Sequence, residues 1–434
     1  MVFSYLKQLS PAKKNFSVGI VNMLLRSIIT LFLIPFYIRY LGNDTYADWI
    51  ILYSLPAIFE LTNLGINKGV NNTFTILFNQ KKDKESKKLL SMGITITLII
   101  CIITISIIFI FWNFLGIREL IGIKSIPRHD TLLIILLLTL KIFFDMIRGI
   151  LCSFFIAKNE AYNSYIIYSI QYLLEVLLIV LILANLYSLS YVAIALTSIS
   201  ILTSIILYIY VNINYNYRLK LVTKNINNFN FIKSSLGFSL ITLSQYIREQ
   251  GTLIIIKNFF NSDVFIIYNT SRILTNYLNV FSGQIMTAVS PVFNFYYSKK
   301  LQTGIKNLYY KTNYINIFSS ISFGLLIIVF RKDIWKIWLN NSIKLDDNLL
   351  LLLVLCAVLR TLWIASKSVI VGSNKHFNFS VYSLIISSFS VLLLILLFNY
   401  IEVNIYIAPI ILIFYNLMII LFFSKYKVLS KSSI

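Results

Sequence analysis

Apolar residues run through this chain in long stretches separated by short polar segments. The stretches fall near 16–41, 46–77, 89–114, 130–157, 164–186 and 189–212. After a polar connector at Asn212–Lys233 they resume near 234–257, 263–297, 308–330, 349–372, 378–400 and 405–424. At 1.5 Å per residue, about 20 residues cross a hydrocarbon core of ~30 Å, so each stretch predicts a membrane-spanning helix. The pattern reads as an all-α polytopic membrane protein of about twelve transmembrane helices in two six-helix bundles. Residues 1–212 form an N-terminal bundle, 213–233 a cytoplasmic connector and 234–434 a C-terminal bundle.

The first hairpin, Phe16–Lys82, shows how polar residues are placed within this apolar background. Gly19, Asn22, Arg26 and Thr30 follow at steps of three and four, one stripe on a helix. An ionised side chain in mid-span costs at least ~2.5–3.5 kcal/mol unless it meets protein or water, so Arg26 is expected to face a cavity. Glu60, Asn63, Asn67 and Asn71 make a second stripe. Others follow: Lys141, Asp145, Arg148 and Cys152; Gln171 and Glu175; Ser244, Gln245, Arg248 and Thr252; Asn269, Arg272, Asn276, Asn279 and Gly283; Arg360 and Lys367.

The two halves also resemble each other at an offset near 218. Asn43–Tyr46 matches Ser262–Phe265, Gly69–Lys82 matches Ala288–Lys300, and Ala157–Tyr165 matches Asn374–Tyr382. Six helices per half is an even number, so the copies share an orientation and are expected to be related by a pseudo-two-fold axis along the membrane normal.

Composition narrows the class. The chain has 434 residues, 58% hydrophobic and 12% charged, against roughly 25% charged in soluble domains. Its net charge of +22 comes with no basic face on a soluble module and no recognition motif, which excludes a nucleic-acid partner. Much of that charge is topological. With the N-terminus cytoplasmic, the inside segments hold 20 lysines and arginines. The outside segments hold 8: Arg118, Lys124, Arg128, Lys257, Arg331, Lys332, Lys336 and Lys344. Both termini are therefore expected to be cytoplasmic. Cys101, Cys152 and Cys356 lie in apolar runs, and His129 and His376 are far apart. No disulfide framework, metal site or cofactor is expected. The start leads into a retained first helix rather than a cleaved signal.

Within the spans, Arg26, Lys68, Lys141, Arg148, Arg248, Arg272, Arg360 and Lys367 stand against Glu60, Asp145, Glu175 and Glu249, a surplus of four positive charges. Such a surplus attracts an anion. Lys68 and Lys367 are close enough to the cytoplasmic ends to snorkel, and Lys141 or Arg148 is placed to pair with Asp145. Arg26, Arg248 and Arg272 have no acid at three or four residues' distance. Glu249 adjoins Arg248 but lies about 100° around an α-helix. These three are the first candidates for binding, with Arg148, Lys141, Arg360, Asn67 and Asn276 beside them; Glu60, Glu175, Asp145 and Glu249 are candidates for ion coupling. At the repeat offset Arg248 aligns with Thr30, one turn from Arg26.

The passages SPAKKNF, PFYIRYLGNDTYADW and LTNLGINKGVNN resemble the Wzx-type polysaccharide flippases of the MOP exporter superfamily, which share a fold with the MATE drug exporters. The resemblance runs over essentially the whole chain. It implies that the first, second, seventh and eighth helices line a central lumen, bringing in Arg26, Glu60, Arg248 and Arg272. It implies ion-coupled transfer of an undecaprenyl-diphosphate-linked oligosaccharide, an O-antigen or capsule repeat unit, to the periplasmic leaflet of a bacterial inner membrane. Membrane lipids, a polysaccharide polymerase and chain-length proteins are the further partners it implies. Fixed guanidinium groups suit a diphosphate through charge-assisted, bidentate bonds. No GxxxxGK[ST] loop is present, so ATP is not the direct driver and no enzymatic chemistry is expected. Two rivals remain: a cation-coupled multidrug exporter of the MATE kind, which calls for excess acid in its site, and a polymerase or ligase acting on the same lipid carrier, which calls for a large outside loop.

Overall fold

The computed structural model describes the chain apart from residues 1–10, 57–66, 68–69, 72, 76, 115–116, 187, 220–228, 299–301, 341–342, 373–375, 401–402 and 427–434. The described residues are helical throughout, with no strand. They divide into two compact units, Met1–Ser239 and Leu240–Ile434.

In the first unit α1, Pro11–Ser54, is broken at Gly42, whose φ of 73° and ψ of 170° belong to no helix and to few residues other than glycine. The two arms fold back on each other there. Tyr37 and Trp49 would lie about 18 Å apart along a straight helix, yet their ring centres are 6.0 Å apart, and Tyr37 stacks on Tyr46 at 5.7 Å. The turn thus falls on Gly42, one residue before the Asn43–Tyr46 segment expected to carry it. Beyond Ser54, helical residues recur between 67 and 79. Glu60, Asn63 and Lys68 lie outside the described residues.

α2 (Asp83–Phe114) opens with Asp83 and Glu85, favourable charges at the positive end of the helix dipole. α3 (Arg128–Leu151) starts directly after Pro127, and α4 (Ala161–Leu186) and α5 (Leu189–Tyr215) follow. α5 ends on Asn216 in the left-handed conformation, a usual helix stop.

The second unit begins within α6 (Phe229–Tyr246), which passes through a π-helical turn, Ile247–Gly251, into α7 (Thr252–Phe259). α8 (Ser262–Ser298) is capped by Asn261, whose Oδ1 accepts the Val264 N–H at 3.0 Å. α9 (Gln302–Val329), the short α10 (Arg331–Leu339), α11 (Asp347–Gly372), α12 (Phe377–Tyr400) and α13 (Ile407–Tyr426) complete it.

Counting the arms of α1 separately and α6–α7 as one, the two units supply twelve spans, six each, with α10 as a short extra helix. Eight helices are long and apolar enough to cross a membrane by composition alone. Among the described residues, the helices that fall short, α3, α6–α8 and the short α10, include those that carry Asp145 with Lys141 and Arg148, and Arg272. The internal repeat is visible in the element order. Helix starts at 83, 128, 161 and 189 recur at 302, 347, 377 and 407, separations of 219, 219, 216 and 218.

Packing is inverted relative to a soluble protein. Ile102, Ile110, Phe318, Leu325, Ile385 and Leu392 are exposed, while Ser200, Ser244, Thr270, Asn316, Ser383 and Ser387 are buried. Small hydroxyl side chains let helices approach and bond across the seams. Thr197 and Ser204 of α5 donate to the Leu137 and Phe144 carbonyls of α3, each at 2.9 Å. Ser244 of α6 meets Ser383 and Ser387 of α12 at 2.6 and 2.8 Å. Such a molecule is a multi-pass integral membrane protein, with lipid as its outer solvent.

Candidate functional site

Each unit contains a cluster of intramembrane charges, built on different terms. In the first unit Lys141 donates to Asp145 Oδ2 at 3.0 Å and meets Glu175 Oε1 of α4 at 3.1 Å. Arg148 reaches Asp145 Oδ1 at 3.0 Å and lies over the Tyr168 ring. Gln171 donates to Glu175 Oε1 at 2.7 Å, Ser200 Oγ at 3.0 Å and Asp145 Oδ1 at 3.2 Å, and accepts from Thr203 at 3.1 Å. Two cations and two carboxylates are thus cross-linked over α3, α4 and α5. The i+3 and i+4 partners of Asp145 expected from spacing are both in use, and α4 adds Glu175. Lys141 and Arg148, candidates for substrate, spend their charge inside this neutral network. Asn67 packs against Gly149 of α3, next to Arg148.

The stripe on the first arm of α1 is largely a seam with α4. Asn22 donates to the Tyr165 carbonyl at 3.0 Å and to Ser169 Oγ at 2.7 Å, Gly19 makes room for the Tyr165 ring, and Thr30 meets the Tyr172 hydroxyl at 3.2 Å. The spacing suggested a cavity wall. The tyrosines of α4 fill that space instead and leave Arg26 exposed, 5.3 Å from the Tyr172 ring centre.

The second unit holds a small half-open pocket, a cavity of about 60 Å³, lined by α8, α11, α13 and the π turn. Arg248, Arg272 and Arg360 all line it, and Glu249 is the sole carboxylate among its lining residues, so the charge balance is two positive. Arg360 donates to Glu249 Oε1 at 2.9 Å and Arg248 to the same oxygen at 3.2 Å. Arg248 also rests on the Tyr415 ring at 4.3 Å. Arg272 donates to the neutral Asn269 Oδ1 at 3.1 Å, and its buried Nε has no partner. Among the described residues Arg272 has no carboxylate within 4.0 Å. Asn276 stands at the rim and accepts from Asn279 at 3.3 Å.

The backbone explains how neighbours in sequence share this pocket. In an α-helix Arg248 and Glu249 point about 100° apart, which is why no pairing between them was expected. The chain is π-helical at Ile247–Gly251, and the two side chains are long enough to meet there, Arg248 donating to Glu249 Oε1 at 3.2 Å. Gly251 keeps the turn close to α12, where an added Cβ would touch Val391 at 3.4 Å. Cys356 on α11 and Asn416 on the apolar α13 complete the pocket; Asn416 accepts from Trp363 Nε1 at 3.0 Å and donates to the Cys356 carbonyl at 3.3 Å. Asn416, the most deeply placed polar residue of an apolar span, is the signal by which α13 was identifiable as a pocket wall; charge alone pointed away from it. A buried acid also went unread: Asp48 of α1 accepts the Lys124 and Ser125 N–H groups at 3.0 and 2.6 Å, tying the hairpin to the loop after α2.

No protein-family profile and no curated protein sequence matches the chain. Solved structures do match its fold. An inward-facing multidrug resistance MATE family transporter of the MOP superfamily aligns at a TM-score of 0.72 and 13% identity, covering 92% of this chain and 95% of its own. An outward-facing one aligns at 0.69 and 12%, covering 97% and 96%. A MOP superfamily transporter from Pyrococcus furiosus, described by the reverse polarity of its binding pocket, aligns at 0.67 and 12%, covering 98% of each chain. Over nearly its whole length, then, the chain has the MATE-like fold of MOP superfamily transporters.

Proposed function

We propose that this protein is a secondary transporter that carries an undecaprenyl-diphosphate-linked oligosaccharide from the cytoplasmic to the periplasmic leaflet of a bacterial inner membrane, driven by an ion gradient. The observation that carries this reading is the pocket of the second unit, where three guanidiniums surround one carboxylate and Arg272 hydrogen-bonds to the neutral Asn269. Such a site is built for an anion. Planar donors in a water-poor setting bind phosphate oxygens through charge-assisted bonds, and Asn276 and Asn279 offer amides to polar neighbours of the phosphate.

Arg26, exposed beside Tyr172, is the proposed contribution of the first unit. Residues 1–212 and 234–434 are taken as the two bundles and 213–233 as their cytoplasmic connector. Asp145 and Glu175 are the candidates for carrying the coupling ion, because they are the acids held apart from the anion pocket, and Glu60 stays a candidate from sequence. Polymerase and chain-length proteins would act on the same lipid-linked product.

The rival reading, a cation-coupled multidrug exporter, draws on the fold of the MATE transporters. A site for cationic drugs needs surplus acid, and the pocket carries the reverse. The solved Pyrococcus furiosus transporter described by a reversed pocket polarity and a different function indicates that polarity is informative on this fold. The test is to delete the gene and identify the lipid-linked glycan that accumulates on the cytoplasmic leaflet. Restoration by the native chain but not by Arg272→Ala at equal membrane level is the expected result. No accumulating glycan, with a change in drug resistance instead, would overturn the reading.

A further inference from the structure

Glu249 sits where an acid is least welcome in an anion site. It lines the pocket with Arg248, Arg272 and Arg360, and a single oxygen, Oε1, takes bonds from both Arg248 and Arg360. The groups facing it from the neighbouring helices are Arg360 and Cys356 on α11 and Arg272 and Tyr268 on α8; Tyr415 on α13 meets it only through Arg248. We infer that Glu249 is a built-in stand-in for the phosphate oxygens: it holds two of the three arginines in position while the pocket is empty, and an arriving diphosphate must displace it.

The inference rests on the anion reading of the pocket and deepens it. Three unpaired guanidiniums on rigid helices would repel one another and bind a diphosphate too tightly to let it go. An internal carboxylate removes the first difficulty by neutralising a charge and the second by competing for the same N–H groups. The acid lies in the same π turn as Arg248, and Arg360 reaches it from α11.

The sign of the effect separates Glu249 from the acids that could couple transport to protons. Neutralising Glu249 frees Arg248 and Arg360, so at this site proton and anion bind together. A carrier that expels an anion while admitting protons needs the two to oppose each other. Coupling therefore falls to another acid, and Glu249, first read as a coupling residue, sets affinity.

The experiment uses the full-length protein in lipid nanodiscs, with Cys101 and Cys152 changed to Ala so that alkylation reports on Cys356, which lines the pocket half-buried. Inorganic pyrophosphate is the probe, and the concentration that half-protects Cys356 is measured. Arg272→Ala is expected to raise that concentration tenfold or more, and Glu249→Gln to lower it tenfold or more. Glu249→Asp keeps the charge on a shorter arm that cannot reach both guanidiniums, and should lower it by a smaller factor; it also serves if the Gln variant does not fold, as judged by thermal unfolding. If Arg272→Ala weakens protection while both Glu249 variants need as much pyrophosphate as the native chain or more, the stand-in role is wrong and the anion pocket stands. If pyrophosphate protects neither the native chain nor Glu249→Gln at any concentration, the anion pocket itself is wrong.

Discussion

The two charge clusters of this molecule use nearly the same residue types to opposite ends. In the first unit two cations meet two carboxylates, with Gln171, Ser200 and Thr203 bonded into the cluster, and Lys141, Arg148 and Glu175 are all buried. In the second, three cations meet one carboxylate around an open pocket. Arginine in a membrane span is thus not by itself a binding signal. What distinguishes Arg272 from Arg148 is the count of acids within reach, and that count depends on which helices are neighbours.

If the first cluster is a closed structural network, breaking it will cost the most. Glu175→Ala leaves Lys141 buried with one acid fewer, and the expected loss is about 3–5 kcal/mol, read as a fall in thermal stability and membrane level. Changing Lys141→Met together with Glu175→Leu should cost less than the single change, because no uncompensated charge remains. Equal losses would mean that the network is not what holds α3 to α4. The pocket should respond in the opposite way. Arg272→Ala removes no ion pair, so membrane level should hold, while transport falls about 10–100-fold, the value of one hydrogen bond to a charged group. Arg272→Lys should recover only part of it, since the planar fork is lost. A pocket mutant that merely disappears from the membrane would erase the contrast.

Gly149→Ala tests an intermediate case, since an added Cβ would collide with Asn67. Overpacking of this kind costs about 1–3 kcal/mol, measurable by thermal unfolding with transport retained in the surviving protein. The smallest effect is expected at the surface pair Lys82–Glu85, 3.8 Å apart and more than half exposed. Lys82→Ala should shift stability by less than about 0.5 kcal/mol, and a larger change would show that the loop is held more firmly than its exposure suggests.

How far the sequence carries can be judged residue by residue. The spans were legible because hydrocarbon admits only long apolar helices, and the repeat because helix starts keep their spacing. Asp145 with Lys141 and Arg148 was legible because i+3 and i+4 neighbours meet on any α-helix. The convergence of Arg248 and Glu249 was not, since a π turn leaves no mark in hydrophobic periodicity. Nor was the fate of Asn22 and Thr30. Their spacing defines a stripe, but only the tyrosines on α4 decide whether that stripe faces water or protein. Arg360 was picked out by its charge alone, and its partner, Glu249, lies 111 positions away, beyond any local rule.

The turn at Gly42 has a consequence for how the chain enters its membrane. Essentially no linker separates the two arms of α1, and Tyr37, Tyr46 and Trp49 cluster at the tip. All three rings are buried, so the tip is held by packing within the protein and the two arms are fixed to each other where they meet. With so little slack, the second arm cannot wait for later segments to be synthesised. The hairpin is therefore expected to enter the membrane as one piece.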